Sequence, residues 1–447
     1  MSISFKDFKI LKFGGTSVGS VERMKNLAKL ITIDESKKIV VLSAMSGTTN
    51  ALVKINEYLY TGKNKEAEND INTLYQKYID VCENLLKDEY KNKGITFVNS
   101  VFDIIRNFRN EAFTFTSKEE KIILAQGEIL STTLFHLYVQ QIGIKSILLN
   151  ALDFVRIDEN NEPNIEFTRQ VLSDILKNYP NDNLFITQGY ICRNAYGDID
   201  NLKRGGSDYT ASIIGSAIRA SEIQIWTDID GMHNNDPRIV SRTYPVNYLS
   251  FDEAAELAYF GAKILHPACI LPAQKEQIPV LLKNTMQPQA FGTIITNTFP
   301  NEGFKAVAAK DGITALQIKS YRMLLAYGFL RAIFEIFERY KTPIDMITTS
   351  EVAVSVTIDD TKHLLEIVEE LKQIASVEVY PDQTIICIAG YLPKNKPGYL
   401  YKVAEALKDI PISMISYGGS DYNISVLVHQ KYKKLALEQL NKVLFNL

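Results

Sequence analysis

A short glycine loop near the N-terminus has the composition of a phosphate-binding turn. Lys12, Gly14, Gly15 and Thr16 lie between an apolar run that predicts a strand and a helical pattern that begins near Val21. Glycines at such a turn let backbone N–H groups approach a phosphate, and the helix N-terminus adds partial positive charge. A tight turn with a solvated lysine is the alternative, because a Gly-Gly turn alone is a weak signal.

A second glycine loop, Arg204-Gly205-Gly206-Ser207-Asp208, opens another predicted helix. Ser207 or Asp208 could simply cap that helix, but capping does not require an arginine beside two glycines. A planar guanidinium can bind a carboxylate through two hydrogen bonds. Two anion-binding loops in one sheet suit a reaction that brings a phosphate and a carboxylate together.

Charged residues also follow a third predicted strand. Thr227 and Asp228 end that strand, Arg238 follows an Asp-Pro pair, and Lys263 lies in the sequence GAKILHP. This charge density at a strand's carboxyl end favours a nucleotide site, although a plain acidic loop has the same composition. His266 is interpreted as a core or loop-bonded histidine rather than a catalyst.

Two fainter signals lie in helical patterns. Thr49 belongs to a small-residue loop, SAMSGTTN, that could be only a helix cap. Gly127 and Glu128 occur in the middle of a long helical pattern, where a glycine costs about 1 kcal/mol relative to alanine. Tolerating that cost indicates close packing or a ligand.

Composition restricts the class of protein. The chain has 447 residues, 46% of them hydrophobic, and a formal net charge of -3. It can therefore bury a large core, while non-specific binding to nucleic acid or an anionic membrane is not supported.

The four cysteines lie far apart, which predicts reduced core residues. With no signal-peptide pattern and no run that approaches a membrane span, we expect a cytoplasmic protein, and we predict no protein-bound metal.

The order of predicted elements indicates an α/β fold. Strands and helices alternate up to about residue 283, with a helical block over residues 63–142, and this predicts a mostly parallel sheet covered by helices on both faces. Two β-α-β-β-α-β patterns of the ferredoxin-like kind follow a turn-rich stretch. We predict a catalytic domain over 1–300 and two regulatory units over 301–383 and 384–447, either consecutive or interleaved.

At this point the motifs resemble a known family, the aspartate kinases of the amino acid kinase fold. The two C-terminal units resemble ACT domains, which other kinases of this fold, such as those for glutamate, acetylglutamate, carbamate or uridylate, lack. The resemblance covers essentially the whole chain and rests on the successive sequences KFGGTSV, SAMSGTTN, AQGE, RGGSDYTA, WTDIDG with DPR, GAKILHP and DMITTSEVAVSV.

The resemblance implies transfer of the γ-phosphoryl group of ATP, with its Mg²⁺, to the side-chain carboxylate of L-aspartate. It implies that Lys12 offsets charge on the transferred group and that Asp208 orients Lys12. The implied phosphate-binding residues are Gly14, Gly15 and Thr16. The implied aspartate-binding residues are Thr49, Glu128, Arg204, Gly205, Gly206 and Ser207. The implied nucleotide-binding residues are Thr227, Asp228, His233, Arg238, Lys263 and Ile264.

The sequence departs from the family's pattern at three positions. Lys203 stands where a glycine usually precedes the arginine, and His233 stands where a tyrosine often lies against the nucleotide. Ala326 replaces a serine that is often found in the effector region. None of these changes removes a predicted catalytic group.

The resemblance also implies feedback inhibition by an amino acid, with L-lysine favoured and L-threonine possible. Asp345 would accept the effector's cationic group. The implied effector-binding residues are Met323, Gly328, Phe329, Leu330, Asp345, Ser350 and Glu351. We expect a homodimer or a dimer of dimers through the ACT region. A kinase for another acidic amino acid and a catalytically silent amino-acid-binding regulator are the alternatives.

Overall fold

The chain forms two compact units, which consist of residues 1–232 with 265–297 and of residues 233–264 with 298–447. The predicted catalytic region, 1–300, thus includes a segment, 233–264, that groups with the C-terminal unit. The order of elements in the sequence does not reveal that a segment within the first unit's sequence belongs to the second unit. The computed structural model describes residues 7–109, 114–202, 205–261, 267–297, 301–320 and 327–447.

Up to residue 232 the chain alternates strands and helices, apart from a helical block in the middle. These elements are β1 (Lys9–Phe13), α1 (Val21–Ile31), β2 (Lys38–Leu42), α2 (Thr48–Tyr60), α3 (Asn64–Leu85), α4 (Asp88–Asn107), α5 (Ser117–Gln141), β3 (Ile147–Leu149), α6 (Ala151–Phe154), α7 (Ile165–Lys177), β4 (Leu184–Gln188), β5 (Ile191–Arg193), β6 (Ile199–Asn201), α8 (Gly206–Ile218) and β7 (Glu222–Thr227).

The chain then contributes a short segment to the second unit before it returns to the first. The segment in the second unit holds β8 (Tyr248–Leu249) and α9 (Phe251–Tyr259). The returning segment holds α10 (Pro267–Lys275), β9 (Val280–Asn284) and β10 (Thr293–Ile295).

The sheet of the first unit has the strand order β3-β4-β2-β1-β7-β9-β10. All neighbouring pairs are parallel except β9 and β10. Phe13, the last residue of β1, is in register with Leu42 of β2 and Trp226 of β7. The carboxyl ends of these strands therefore meet at one edge, as the mostly parallel fold predicts.

A single hydrophobic core joins one side of this sheet to α1 through α5. By length and composition, α5 could also cross a membrane, contrary to the expectation that no run in the sequence approaches a membrane span. However, 67% of its apolar stretch is buried inside this unit. Its apolar residues contribute to the core, as those of a central helix in a globular unit do.

The second unit is built on an antiparallel sheet with the strand order β12-β13-β11-β14-β16-β15. Its elements after residue 300 are β11 (Gly303–Lys319), α11 (Phe329–Arg339), β12 (Ile347–Thr349), β13 (Ala353–Ile358), α12 (Leu364–Lys372), β14 (Ser376–Tyr391), α13 (Tyr399–Ala406), β15 (Ile412–Tyr417), β16 (Asn423–His429) and α14 (Lys433–Phe445).

Two long strands, β11 and β14, run through both regulatory copies. The first part of β11, residues 303–310, pairs with residues 385–391, while its second part, 313–319, pairs with β13 and with residues 376–383. The strand that completes the second copy therefore precedes the first copy in the chain, so the copies are interleaved. The predicted boundary between residues 383 and 384 falls inside β14, because one continuous strand serves both copies.

Candidate active site

A pocket of about 360 Å³ opens beside the carboxyl ends of β1, β2 and β4. Both predicted glycine loops contribute to its wall, together with the loop after β2 and the middle of α5. Its lining residues are Gly15, Ser43, Ala44, Met45, Ser46, Gly47, Thr49, Asn50, Glu128, Tyr190, Gly206 and Ser207. The structure thus brings together most of the predicted aspartate-binding residues of the described ranges.

An ion pair links the two predicted catalytic residues. Lys12 Nζ lies 2.6 Å from Asp208 Oδ1, and the two side chains are 12% and 17% exposed. Lys12 is on β1, and Asp208 is in the first turn of α8. A Cβ added at Gly14 would lie 3.4 Å from Lys12 Nζ, so the ammonium lies directly beside the first glycine loop. Asp208 therefore holds a cation at the position where a bound phosphate would need one.

Backbone contacts join the first glycine loop to the loop after β2. The Ser46 N–H donates to the Gly15 carbonyl at 3.2 Å. A Cβ added at Gly15 would lie 2.9 Å from the Ala44 carbonyl oxygen, which is closer than a side chain tolerates. Glycine at position 15 is therefore a packing requirement, and it brings the predicted phosphate loop against the predicted aspartate pocket.

The second glycine loop turns into α8 through left-handed backbone. Gly205 has a φ of 70° and Gly206 a φ of 40°, a region that favours glycine. Gly205 is the N-cap of α8, and no side chain of the described residues caps the helix. The alternative that Ser207 or Asp208 serves as the cap is therefore wrong. Ser207 Oγ instead accepts a hydrogen bond from Ser43 Oγ at 2.8 Å.

Glu128 is a buried carboxylate that faces the pocket. Its Oε1 accepts a hydrogen bond from the Ala44 N–H at 3.1 Å, and no described residue bonds to its Oε2. Burial raises the pKa of Glu128 to about 8, because desolvation disfavours the charged form. A Cβ added at Gly127 would lie 3.0 Å from Ala44 Cβ, which explains the mid-helix glycine by close packing. A ligand ammonium would supply the missing partner of Glu128.

Sequence reasoning missed several residues that support the pocket. Lys77 Nζ donates to the Ser46 carbonyl at 2.7 Å, and Thr48 Oγ1 and Tyr78 OH are hydrogen-bonded at 2.9 Å. Desolvation lowers the pKa of Lys77. Tyr190 lies just after the carboxyl end of β4, and this position was the one feature of the sequence that could have indicated a place in the pocket wall. The residues on α3 carried none, because nothing in a helical pattern shows which loop the helix will contact.

The predicted nucleotide residues divide between the units. Thr227 ends β7 next to β1, with its Oγ1 3.2 Å from Asp228 Oδ1, and Ser17 Oγ after the first glycine loop is 2.9 Å from Thr285 Oγ1. Thr16 accepts a bond from Arg23 through its carbonyl at 2.6 Å.

Two other nucleotide residues lie in the second unit. His233 Nδ1 is 2.8 Å from Thr243 Oγ1, and Arg238 makes two bonds to Asp236, at 2.9 and 2.7 Å. Their role at a nucleotide stays a prediction. The predictions at Lys203, Arg204, Lys263, Ile264, His266, Met323 and Ala326 lie outside the described residues.

In the predicted effector region, Asp345 already has partners. Its side chain is 1% exposed, and its Oδ1 lies 2.7 Å from Lys310 Nζ and 2.9 Å from the Tyr259 hydroxyl, which donates to it. Gly328, with a φ of 87°, begins α11 ahead of Phe329 and Leu330. Ser350 and Glu351 are exposed in the turn between β12 and β13. The role of these residues in effector binding stays a prediction.

Comparison with known proteins gives consistent matches. Residues 7–284 match the amino acid kinase family, and residues 386–444 match an ACT domain. The chain is 34% identical to aspartokinase 1, chloroplastic, of Arabidopsis thaliana, over 98% of this chain and 80% of that protein. It is 32% identical to lysine-sensitive aspartokinase 3 of Escherichia coli (strain K12), over 98% of this chain and 99% of that protein.

Solved structures agree with these matches. The crystal structure of Escherichia coli aspartokinase III in complex with aspartate and ADP, in its R-state, superposes with a TM-score of 0.85 at 31% identity and covers 98% of this chain and 100% of that one. The T-state structure of the same protein with lysine and aspartate gives a TM-score of 0.79 at 31% identity and the same coverage.

Proposed function

The chain belongs to the aspartokinases of the amino acid kinase family, and on that basis we propose that it transfers the γ-phosphoryl group of ATP to the side-chain carboxylate of L-aspartate. The observation that carries this proposal is the Lys12–Asp208 pair, which lies beside the first glycine loop and at the first turn of the helix that the second loop opens. An ammonium held between a phosphate loop and a carboxylate pocket suits this reaction.

Phosphoryl transfer is catalysed mainly by positioning and charge. The attacking carboxylate of aspartate is already ionised at neutral pH, so no general base is required. Lys12 offsets the charge that develops on the transferred group, and the amides of Gly14 and Gly15 add hydrogen bonds. Asp208 fixes the position of Lys12 through the 2.6 Å ion pair. Mg²⁺ is part of the nucleotide substrate and offsets phosphate charge when bound.

Aspartate is held by groups around the 360 Å³ pocket. Glu128 binds its ammonium through Oε2, to which no described residue hydrogen-bonds. Ser207 and Thr49 bind carboxylate oxygens, and Arg204 grips a carboxylate with two hydrogen bonds. A substrate that is one methylene longer would misplace the attacking oxygen, which makes the site selective for aspartate over glutamate.

The direct test is formation of an acyl phosphate, trapped with hydroxylamine, from ATP and L-aspartate. We expect product with aspartate and little with glutamate at the same concentration. Product with glutamate but not aspartate would favour a kinase for another acidic amino acid. Binding of aspartate without any turnover would favour a catalytically silent regulator and overturn the proposal.

L-Lysine inhibits this activity, and L-threonine inhibits it less or not at all. The support comes from the buried Asp345 carboxylate, which suits a cationic side chain, and from the matched relative that is named lysine-sensitive. Titration of the activity with each amino acid tests this, and inhibition by threonine alone would contradict it. The ACT region pairs two chains into a homodimer or a dimer of dimers, which light scattering would measure.

A further inference from the structure

A lysine of the chain itself pairs with one oxygen, Oδ1, of the carboxylate that is predicted to bind the effector, while no described residue hydrogen-bonds to the other oxygen, Oδ2. Lys310 Nζ lies 2.7 Å from Asp345 Oδ1 and 2.8 Å from Asp359 Oδ2. The Asp345 side chain is 1% exposed, whereas those of Lys310 and Asp359 are 20% and 41% exposed. An incoming ammonium can reach so deeply buried a carboxylate only if a group that covers it moves away. Lys310 is the group that can move away from Asp345, because its ammonium would still be paired with the Asp359 carboxylate.

Tyr259 ties this cluster to the segment that carries predicted nucleotide residues. Its hydroxyl donates to Asp345 Oδ1 at 2.9 Å, and its ring centroid is 4.7 Å from Lys310 Nζ, within cation–π range. Tyr259 is the last residue of α9, and Lys263 follows it four positions later in the chain. A change at Asp345 therefore acts on the residue that ends α9.

The segment that contains α9 is also anchored at its other end. The Val307 N–H donates to the Asn234 carbonyl at 2.8 Å, and Asn234 Nδ2 donates to Asn441 Oδ1 of α14 at 3.0 Å. All three residues are buried. Because this end is fixed by buried hydrogen bonds, the Tyr259 end is the part of the segment that an event at Asp345 can shift.

We infer that Lys310 is an internal ligand of the effector site, which an effector's ammonium displaces from Asp345, and that Tyr259 passes this exchange to the nucleotide-binding segment. The inference rests on the proposed function for its effector and its readout. The exchange conserves charge: Asp345 trades one ammonium for another, and Lys310 keeps its pair with Asp359. The apparent affinity for the effector is then lowered by the fraction of molecules in which Lys310 occupies the site.

The first test measures L-lysine binding by calorimetry to the full-length protein and to Lys310→Met. Removal of the competing ammonium should tighten binding by about tenfold or more, because the competent fraction rises. The matched control is Lys319→Met on the same strand, where Lys319 Nζ lies 3.2 Å from Glu378 Oε1 in an exposed pair. It should leave the binding constant unchanged. Equal or weaker binding by Lys310→Met would overturn the inference, since an effector that joins Lys310 rather than replacing it would behave in this way.

The second test separates binding from inhibition. Tyr259→Phe keeps the ring beside Lys310 but removes the hydroxyl that bonds to Asp345. The lysine concentration for half-inhibition, divided by the dissociation constant, should rise about fivefold or more, since coupling between sites is commonly of this size. An unchanged ratio would remove Tyr259 from the mechanism.

The proposed function and this inference can be tested separately, so that failure of one is distinguished from failure of the other. Hydroxamate formation without lysine tests the kinase activity, and lysine binding by the unsubstituted protein tests the effector. If the unsubstituted protein does not bind lysine, binding gained in Lys310→Met would still support the internal ligand. Absence of binding in both proteins would overturn it.

Discussion

Two ammonium–carboxylate pairs, Lys12–Asp208 in the first unit and Lys310–Asp345 in the second, have almost the same length, 2.6 and 2.7 Å. Their surroundings differ. Lys12 lies beside a glycine loop whose amides are predicted to bind phosphate, whereas Lys310 lies between two carboxylates, those of Asp345 and Asp359. The first pair is neutral with added positive dipoles and suits an anion, while the second has net negative charge and suits a cation. The neighbours of an ion pair, rather than its length, decide which ligand it can serve.

The largest expected effect would come from Lys12→Ala, which tests the first half of the comparison. Removal of a charge that acts on the transition state should lower kcat by about a thousandfold or more in the hydroxamate assay. Lys9→Ala is the control, because Lys9 lies on the same strand and its ammonium lies 3.6 Å from Glu222 Oε1, outside the candidate site. A loss of less than about tenfold would make the Lys12 pair a structural contact and remove the contrast between the two sites.

At pH 9, where Glu128 is ionised, Glu128→Gln should raise the KM for aspartate by about a hundredfold, since a hydrogen-bonded charge pair contributes roughly 1.5–3 kcal/mol. Glu120→Gln on the same helix is the control.

The effect of Glu128 on KM should also depend on pH. The pKa of Glu128 is raised to about 8, so the empty site is mostly protonated at pH 7 and becomes ionised above pH 8. The ionised form attracts the substrate ammonium, so KM should fall as pH rises from 7 to 9, and this slope should vanish in the variant. A slope that persists would assign the titration to another group.

Gly189→Ala should disturb the aspartate pocket through packing alone. An added Cβ would lie 2.3 Å from both Cβ and Oγ of Ser207, so Ser207 must move. We expect a roughly tenfold higher KM for aspartate and a stability loss of about 1–3 kcal/mol, the usual cost of overpacking. Gly419→Ala is the matched control, because no atom of the part of the chain that the structure describes lies within 4 Å of its added Cβ. An unchanged KM would exclude Ser207 from substrate binding.

The smallest effect on activity is expected from Asn441→Leu, in the second unit. The change leaves the buried Asn234 amide without its acceptor and removes a 2.8 Å bond to the Arg242 carbonyl. We expect about 2 kcal/mol of lost stability and a melting temperature lower by roughly 4–8 °C, with aspartate KM unchanged. Lys442→Ala, an exposed neighbour on α14, should leave the melting temperature in place. A raised aspartate KM would contradict the assignment of this network to the second unit.

Local patterns predicted the first unit well. The apolar run before Gly14, the pattern from Val21 and the glycines before Ser207 correspond to β1, α1 and the start of α8, because each is specified by neighbouring residues. The position of Glu128 in the pocket was not visible in the same way. It depends on α5 packing its middle against Ala44, a contact between residues 84 positions apart.

The second unit was harder because its pairing is non-local. The predicted boundary between residues 383 and 384 lies in one continuous strand, β14, which has a bulge near Pro381 and Asp382. Asp382 adopts a φ of 56°, which accommodates the irregular register. The strand at 303–310 has its partner some eighty residues later, so no local pattern could assign it to the second copy.

The long strands β11 and β14 set a rule for recombination between relatives. Because residues 303–310 complete a copy whose remainder begins at 385, a single crossover within the regulatory half would give a chimera with one strand from each parent in the same sheet. Exchange of the outer copy requires replacement of two separate segments, 303–310 and the chain from 385 onward, whereas the inner copy can be replaced as one cassette between residues 311 and 384. Chimeric genes that are joined near residues 311 and 384 should therefore yield folded protein far more often than chimeras joined elsewhere in the regulatory half.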